Sequence, residues 1–410
     1  MAGKFRTYDP EKDKKATHRI WQECGWIEGE KKETDALDTF VSVSDGWVWE
    51  VGGSAEALTI ATPARFQHTG TDLSMTAVTG VTTSRVARGR GAAGGTLSRS
   101  LATAAGAGYA LAGLGMFEQG YYDQFGFGNG SYELFYRFDP AWLKRFEKPA
   151  PPVRLGPKDW KAIHAGRIRR MKHHGAVDLI PPEISKCELA WVKNPFGLGY
   201  KEKGKLTHFF VAHTDNVEQG PYYVEWLSYQ NLHQLRELLS LIRGLGDQVR
   251  SIRLRELPWL QIQSVVKKPF QLMTVSHKGR FESRLAGEAY WQLRMLDVEQ
   301  CVAALSARET VRFALVLTDP IADRLPDSSK WNGCGGEYVV ELSERSSAKR
   351  GRETGLPVLE ATVNDFNRFW MGSASAASLQ AFHSFSGPDE LIAALDRAVQ
   401  LPRPYPDWDY

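Results

Sequence analysis

The first periodic stretch of the chain opens at Asp9-Pro10-Glu11: a side-chain oxygen at the N-cap, proline at the first helical position and an acid in the first turn. Ile20 and Trp21 lie on the apolar face beyond. An amphipathic helix is predicted there. Residues 39–44 and 47–51 alternate or run apolar around Asp45-Gly46, and read as the arms of a hairpin. Residues 75–83, rich in Val and Thr, read as a strand feeding a turn of glycines and arginines. Leu97, Leu101, Ala104 and Ala105 then recur at helical spacing, so the turn opens a helix that runs to about Gly106. Residues 109–117 and 131–138 read as strands, and 138–157, with Pro140, Pro149, Pro151 and Pro152, as a linker.

Beyond the linker the order repeats. A helix begins at Pro157-Lys158-Asp159-Trp160, His173-His174 reads as part of a basic helix, and strands follow at 207–213 and 221–229. A helix over 231–243 ends in Arg243-Gly244-Leu245-Gly246, which imitates a phosphate loop but closes its helix, so it reads as a C-cap. Residues 248–254 read as a strand. From about Tyr290 the pattern changes to an α+β arrangement: helices at 298–306, 363–369 and 388–399, strands at 311–318 and 338–342. The tail from Pro402 to Tyr410 is proline-stiffened and aromatic, as suits a segment laid along a surface.

At 410 residues the chain exceeds one hydrophobic core, and two or three domains are expected. Its 51 basic and 48 acidic side chains give a net charge of +3, too little for a phosphate-backbone binder, so nucleic acid is not expected as a partner. The run Lys349-Arg350-Gly351-Arg352 reads as a solvated loop between strands. Cys24, Cys187, Cys301 and Cys334 are scattered without metal spacing, which predicts a reducing compartment, a cytoplasmic location and no metal. No apolar segment follows the N-terminal charges, so no secretion signal is read. The uncharged tract 101–117 is interrupted by four glycines and reads as a helix end and a buried strand, not a membrane span.

The chemistry concentrates in residues 80–93. A strand feeds a turn of glycines and arginines that opens a helix, where unbonded backbone N–H groups point at any anion on the helix axis. Arg88 and Arg90 add fork-shaped donors. This is a pyrophosphate cradle. Two other readings stay open: Gly89 to Gly94 also satisfies GxGxxG, with Glu118 as the ribose-binding acid of a nicotinamide-dependent oxidoreductase, or the turn holds no ligand.

Arg88-Gly89-Arg90-Gly91-Ala92-Ala93 resembles the R-x-x-G-x-G/A signature of the GNAT acetyltransferase superfamily. Gly120-Tyr121-Tyr122-Asp123-Gln124-Phe125-Gly126-Phe127-Gly128 is similar to the G-x-Y-x-x-F-G-[FY]-G stretch of its enhanced-intracellular-survival (Eis-like) branch. The resemblance covers essentially the whole chain. It implies a mixed α/β (α+β) protein of two tandem GNAT-like domains with mixed central sheets and a sterol-carrier-like α+β domain: 1–150 with the acetyl-CoA site, 151–288 lacking the pyrophosphate loop, and 289–410. It further implies that Val81, Thr82 and Thr83 offer backbone groups to the pantetheine arm and that Arg88, Gly89, Arg90, Gly91, Ala92 and Ala93 hold the pyrophosphate. Phe117 and Glu118 would flank the cofactor, Tyr122 would be the general acid, and the terminal carboxylate on Tyr410 the general base. A hexamer is implied as well. Arg85 stands where the family often has proline, and Tyr410 where phenylalanine is common.

Acetyl transfer from a thioester to an amine needs a base for the amine proton and an acid for the departing thiolate. A thiol titrates near ~8.5, a phenol near ~10 and a terminal carboxyl near ~3.5, so the acid must donate over a short bond and the base must be partly desolvated or act through water. Asp407 and Asp409 add negative charge attractive to a cationic amine. Apart from the resemblance, Tyr122 reads as a packing residue, and a non-catalytic acyl-CoA or lipid-binding module is the alternative. GxSxG, HExxH, Walker and EF-hand patterns are absent from the sequence. His173, His174, His208 and His213 read as surface or core residues.

Overall fold

The structure, a computed structural model, describes residues 3–116, 118–267 and 279–410. The chain forms two units: residues 1–131, 173–181 and 290–410 make the first, 132–172 and 182–289 the second. No helix among the described residues is long and apolar enough to cross a membrane.

The first unit opens with β1 (Lys4–Thr7) and α1 (Pro10–Glu23), whose N-cap Asp9 accepts from the Glu11 and Lys12 N–H groups. Then α2 (Lys31–Ser42) corrects the expectation of a strand at 39–44. The Glu33 carboxylate accepts from the N–H groups of Glu28, Gly29 and Glu30 at 2.9–3.1 Å and starts this helix upstream. Ala36, Leu37, Phe40 and Val41 bury one helical face, so the apparent alternation was only its last turn. The hairpin lies further on, between β2 (Asp45–Val51) and β3 (Ser54–His68), at Gly52-Gly53, whose φ of 58° and 83° suit glycine.

Next come β4 (Thr71–Thr83), α3 (Ala92–Gly106), β5 (Leu111–Gly115) and the short β6 (Gly128–Asn129). The sheet runs β1-β2-β3-β4-β5, then strand Trp291–Met295, then β6. The first four strands are antiparallel, while β4 and β5 are parallel with α3 as their crossover. The rest of this unit is a five-stranded sheet centred on Val311–Thr318, with helices Val363–Trp370, Ala376–Phe382 and Asp389–Ala398. Lys349 and Arg350 belong to its edge strand Ser347–Arg350 instead of a loop, and Arg352 pairs with Glu337. His173-His174 lies in a turn, not a helix. His174 is buried, accepting from the Thr69 N–H at 3.1 Å through Nδ1 and donating through Nε2 to the Met371 carbonyl at 2.8 Å.

The second unit is a seven-stranded sheet in the order Arg284–Glu288, Glu133–Phe138, Ile252–Arg255, Tyr222–Ser228, Lys205–His213, Phe196–Glu202, Val153–Leu155. Strands Tyr222–Ser228 and Ile252–Arg255 are parallel, joined through helix Leu232–Gly244, which repeats the β4-α3-β5 crossover. The difference sits at the helix start. Asn231 caps Leu232–Gly244 by accepting from the Gln234 N–H at 3.0 Å, whereas no side chain caps α3.

Candidate active site

The sequence makes β4 part company with β5. Opposite Ile60 and Ala61 on β3 the partners on β4 jump from Gly80 to Val78, so Thr79 is an extra residue, a bulge that bends the strand. Pairing of β4 with β5 runs only from Met75↔Leu111 to Val78↔Leu114. Past the bulge, Val81, Thr82 and Thr83 stay bonded to β3 at Thr59, Leu58 and Ala57, with their other edge turned to the opened wedge. An extended amide chain can add there as a strand would.

The wedge leads to the N-terminus of α3. Gly89 and Gly91 have φ of 73° and 71°, a left-handed backbone that side-chain-bearing residues adopt at a cost. Gly91 is the N-cap, and the first turn contains no acidic residue. Gly95 sits where a Cβ would fall 2.2 Å from the Phe5 ring, so β1 holds the helix close to the sheet. Arg88 and Arg90 have neither hydrogen bond nor ion pair among the described residues. Uncapped N–H groups, the positive end of the helix dipole and the unpaired, cleft-lining Arg88 lie together at the start of α3.

A cleft of about 810 Å³ joins these features. Of the residues expected from sequence, Val81, Thr82, Thr83, Arg88, Gly89, Gly91, Ala92, Ala93, Glu118 and Tyr122 line it. Arg90 and Tyr410 are not among its lining residues, and Phe117 lies outside the described residues. Cys24, Trp26, Ala87 and Tyr121 complete the wall. Sequence reasoning passed over all four. Only Tyr121, inside the glycine-aromatic motif, carried a signal. Among the described residues, no three His, Cys, Asp or Glu side chains are placed to hold a metal ion.

Tyr122 begins the single turn Tyr122–Phe125 and is 5 % exposed, packed with Val78, Leu97, Leu114 and Phe127. Burial, with smaller contributions from Tyr121 and Glu118, pushes its phenol up to about 12. It therefore stays protonated throughout the neutral and mildly alkaline range.

The turn is held by side chains far along the chain. Strand Trp291–Met295 is buried at every position yet carries Gln292 and Arg294. Gln292 donates to the carboxylate of Asp123 at 2.8 Å and to the Asn129 side chain at 2.5 Å. Arg294 donates to the Phe125 carbonyl and pairs with Asp319 at 2.7 Å, both side chains fully buried. Asn364 donates to the carbonyls of Asp123 and Phe127, each at 2.8 Å, and Asn367 to that of Gly126 at 3.2 Å. The motif glycines follow from this closeness. A Cβ on Gly128 would lie 2.3 Å from the Asn364 carbonyl, and Gly126 has φ of 81° with Val363 2.7 Å from its Cβ position.

The tail is pinned to the same unit. The Tyr405 N–H donates to the His174 carbonyl at 2.8 Å, Ser131 donates to the Pro404 carbonyl at 2.7 Å, and Trp408 is buried. Tyr410 reaches β5: Cβ atoms on Gly113 and Gly115 would fall 2.6 Å from the Tyr410 hydroxyl and 2.7 Å from its backbone oxygen. The Tyr290 hydroxyl donates to that oxygen at 3.2 Å. Two glycines on one face of β5 thus leave room for the tail where β4 and β5 separate.

Residues 5–130 match the family model of the acetyltransferase (GNAT) domain and residues 301–406 that of the sterol carrier protein domain. No curated protein matches in sequence. Among solved structures, a conserved protein of unknown function from Enterococcus faecalis V583, described as a probable N-acyltransferase, superposes with a TM-score of 0.79 at 14 % identity, covering 98 % of both chains. A GCN5-related N-acetyltransferase from Kribbella flavida gives 0.75 at 16 % identity over 100 % of this chain and 99 % of that one. Eis1 from Mycobacterium abscessus gives 0.76 at 15 % identity over 100 % of both. The chain carries a GNAT-type acetyltransferase domain followed by a sterol carrier protein domain, on a fold that it shares along its whole length with Eis1.

Proposed function

We propose that the first unit transfers an acetyl group from acetyl-CoA to a primary amine, a cationic small molecule or a lysine-type amine, by direct attack. The observation that carries this reading is the joining, in one cleft, of the open β4 edge, the uncapped α3 N-terminus and Tyr122. The pantetheine amides bond to Val81, Thr82 and Thr83, and the pyrophosphate to the Arg88–Ala93 turn. Two solved structures that share the fold, one described as a probable N-acyltransferase and one as a GCN5-related N-acetyltransferase, support the same class.

In the reaction the amine nitrogen bonds to the thioester carbon, the carbon–sulfur bond breaks with its electron pair on sulfur, and the amine proton leaves to a base. Tyr122, a phenol near 12 against a thiol near ~8.5, does not surrender its proton fully to the thiolate before collapse, since that transfer is uphill by roughly 5 kcal/mol. It stabilises the developing negative charge on sulfur as a hydrogen-bond donor, and any net proton passed to sulfur is returned to the phenolate from solvent as the thiol leaves. In a chain ending at Tyr410 the oxygen that receives the Tyr290 hydroxyl belongs to a carboxylate, which takes the amine proton directly or through water. A homohexamer and a cytoplasmic location belong to the same reading. The antiparallel strands that precede the glycine turn count against the dinucleotide alternative, whose turn follows the first strand of a parallel sheet.

The test is thiol release from acetyl-CoA across a panel of polyamines, aminoglycosides and lysine peptides. One or more amines are expected to raise the rate, and a single alanine appended after Tyr410 to lower it by about 10²-fold or more, as removal of a general base does. Full activity in the extended chain removes the carboxylate from the mechanism; no thiol release with any amine counts against the transferase.

A further inference from the structure

The sterol carrier protein domain supplies a further cation near the wall of the cofactor cleft. Arg324 ends the turn Pro320–Arg324, is exposed, and has neither hydrogen bond nor ion pair among the described residues. Its guanidinium lies 5.3 Å from the centroid of the Phe125 ring. The same ring comes within 3.1 Å of the Cβ position of Gly94, in the first turn of α3, and the Tyr121 hydroxyl within 3.8 Å. Arg324 also lowers the tendency of the cleft-lining Tyr121 to hold its proton, against the larger effect of burial, which places its charge near that hydroxyl. Arg324, through the Phe125 ring, and the cleft-lining Arg88 therefore both lie near the start of α3, whose first turn has no acid. Glu118, on the cleft wall, is the carboxylate on the opposing side of this balance.

A pyrophosphate bound at the α3 N-terminus is served by the Arg88–Ala93 turn. Coenzyme A carries one further anion, the phosphate on its 3′-hydroxyl, which extends from the adenosine beyond the pyrophosphate and is open to a donor on a different element. We propose that Arg324 binds the 3′-phosphate of coenzyme A, so that the sterol carrier protein domain completes the cofactor site. This rests on the acetyl-CoA reading above. The planar guanidinium, over the Phe125 ring and on an exposed residue, suits two parallel bonds to phosphate oxygens.

Calorimetric titration with coenzyme A and with 3′-dephospho-coenzyme A tests it in wild type, Arg324→Gln and Arg88→Ala. Wild type is expected to bind coenzyme A about 10–100-fold more tightly than the dephospho form, the effect of one charge-assisted phosphate contact. Arg324→Gln removes that preference and leaves the dephospho form unaffected, whereas Arg88→Ala weakens both ligands. An Arg324→Gln protein that keeps the preference, or that loses affinity for both ligands equally, overturns the inference while the cofactor reading stands. Wild type that binds neither ligand overturns both.

Discussion

Tyr122→Phe is expected to lower the rate of acetyl transfer by about 10²–10⁴-fold, the range for removing a positioned proton donor, and to leave binding of acetyl-CoA unchanged. The ring sits in a core with Val78, Leu97, Leu114 and Phe127, so phenylalanine fills the same space and only the hydroxyl is lost. The raised phenol also fixes a sign for pH. Because its proton is held up to about 12, the donor is intact at every ordinary assay pH. The wild-type rate should rise as the amine loses its proton and should show no decline near pH 10 from ionisation of Tyr122. Single-turnover kinetics with both proteins reads the first point, and a wild-type profile from pH 6 to 10.5 the second. A variant that keeps wild-type turnover makes Tyr122 a packing residue.

Arg294→Met should cost roughly 3–5 kcal/mol of stability, the range for removing one partner of a buried ion pair. Asp319 keeps hydrogen bonds from the N–H groups of Ile321 and Cys334, at 3.1 and 2.7 Å, which places the expected loss toward the lower end. The loss should reach function too, since Arg294 also holds the Phe125 carbonyl, three residues from Tyr122. Arg294→Met combined with Asp319→Asn removes the orphaned charge while keeping an acceptor for those N–H groups, and should recover part of the stability but not the activity. Urea unfolding midpoints together with thiol release separate the two effects. If the double variant regains full activity, the carbonyl contact does not position the turn.

The elements near the cleft were legible because their residues act locally. Glycines at 89 and 91 announce left-handed backbone, and the Val- and Thr-rich run before them announces a strand, so the strand, turn and helix appear where the pattern put them. The wedge itself was not legible. It depends on the Thr79 bulge, a matter of register between β3 and β4 that no single residue declares. The end of helix α2 reads as a strand because its start is set by Glu33, outside the alternating window. The clamps on the Tyr122 turn come from residues 292, 294, 364 and 367, more than 160 positions away, and periodicity carries nothing over that distance. One clue was present: Gln292 and Arg294 inside an otherwise apolar strand are costly to bury unless they bond to something specific. Trp26 and Cys24 gave no comparable sign, for only the folded chain brings the end of α1 to the edge of β4.

The measurement that bears most directly on the whole account is calorimetric titration with acetyl-CoA and, separately, with NADPH, of wild type and Arg88→Ala. The account predicts micromolar binding of acetyl-CoA, weakened about 10–100-fold by Arg88→Ala as a charge-assisted phosphate contact is lost, and no comparable binding of NADPH. Tight NADPH binding with none for acetyl-CoA would contradict it, and would make the glycines at 89–94 the turn of a dinucleotide site.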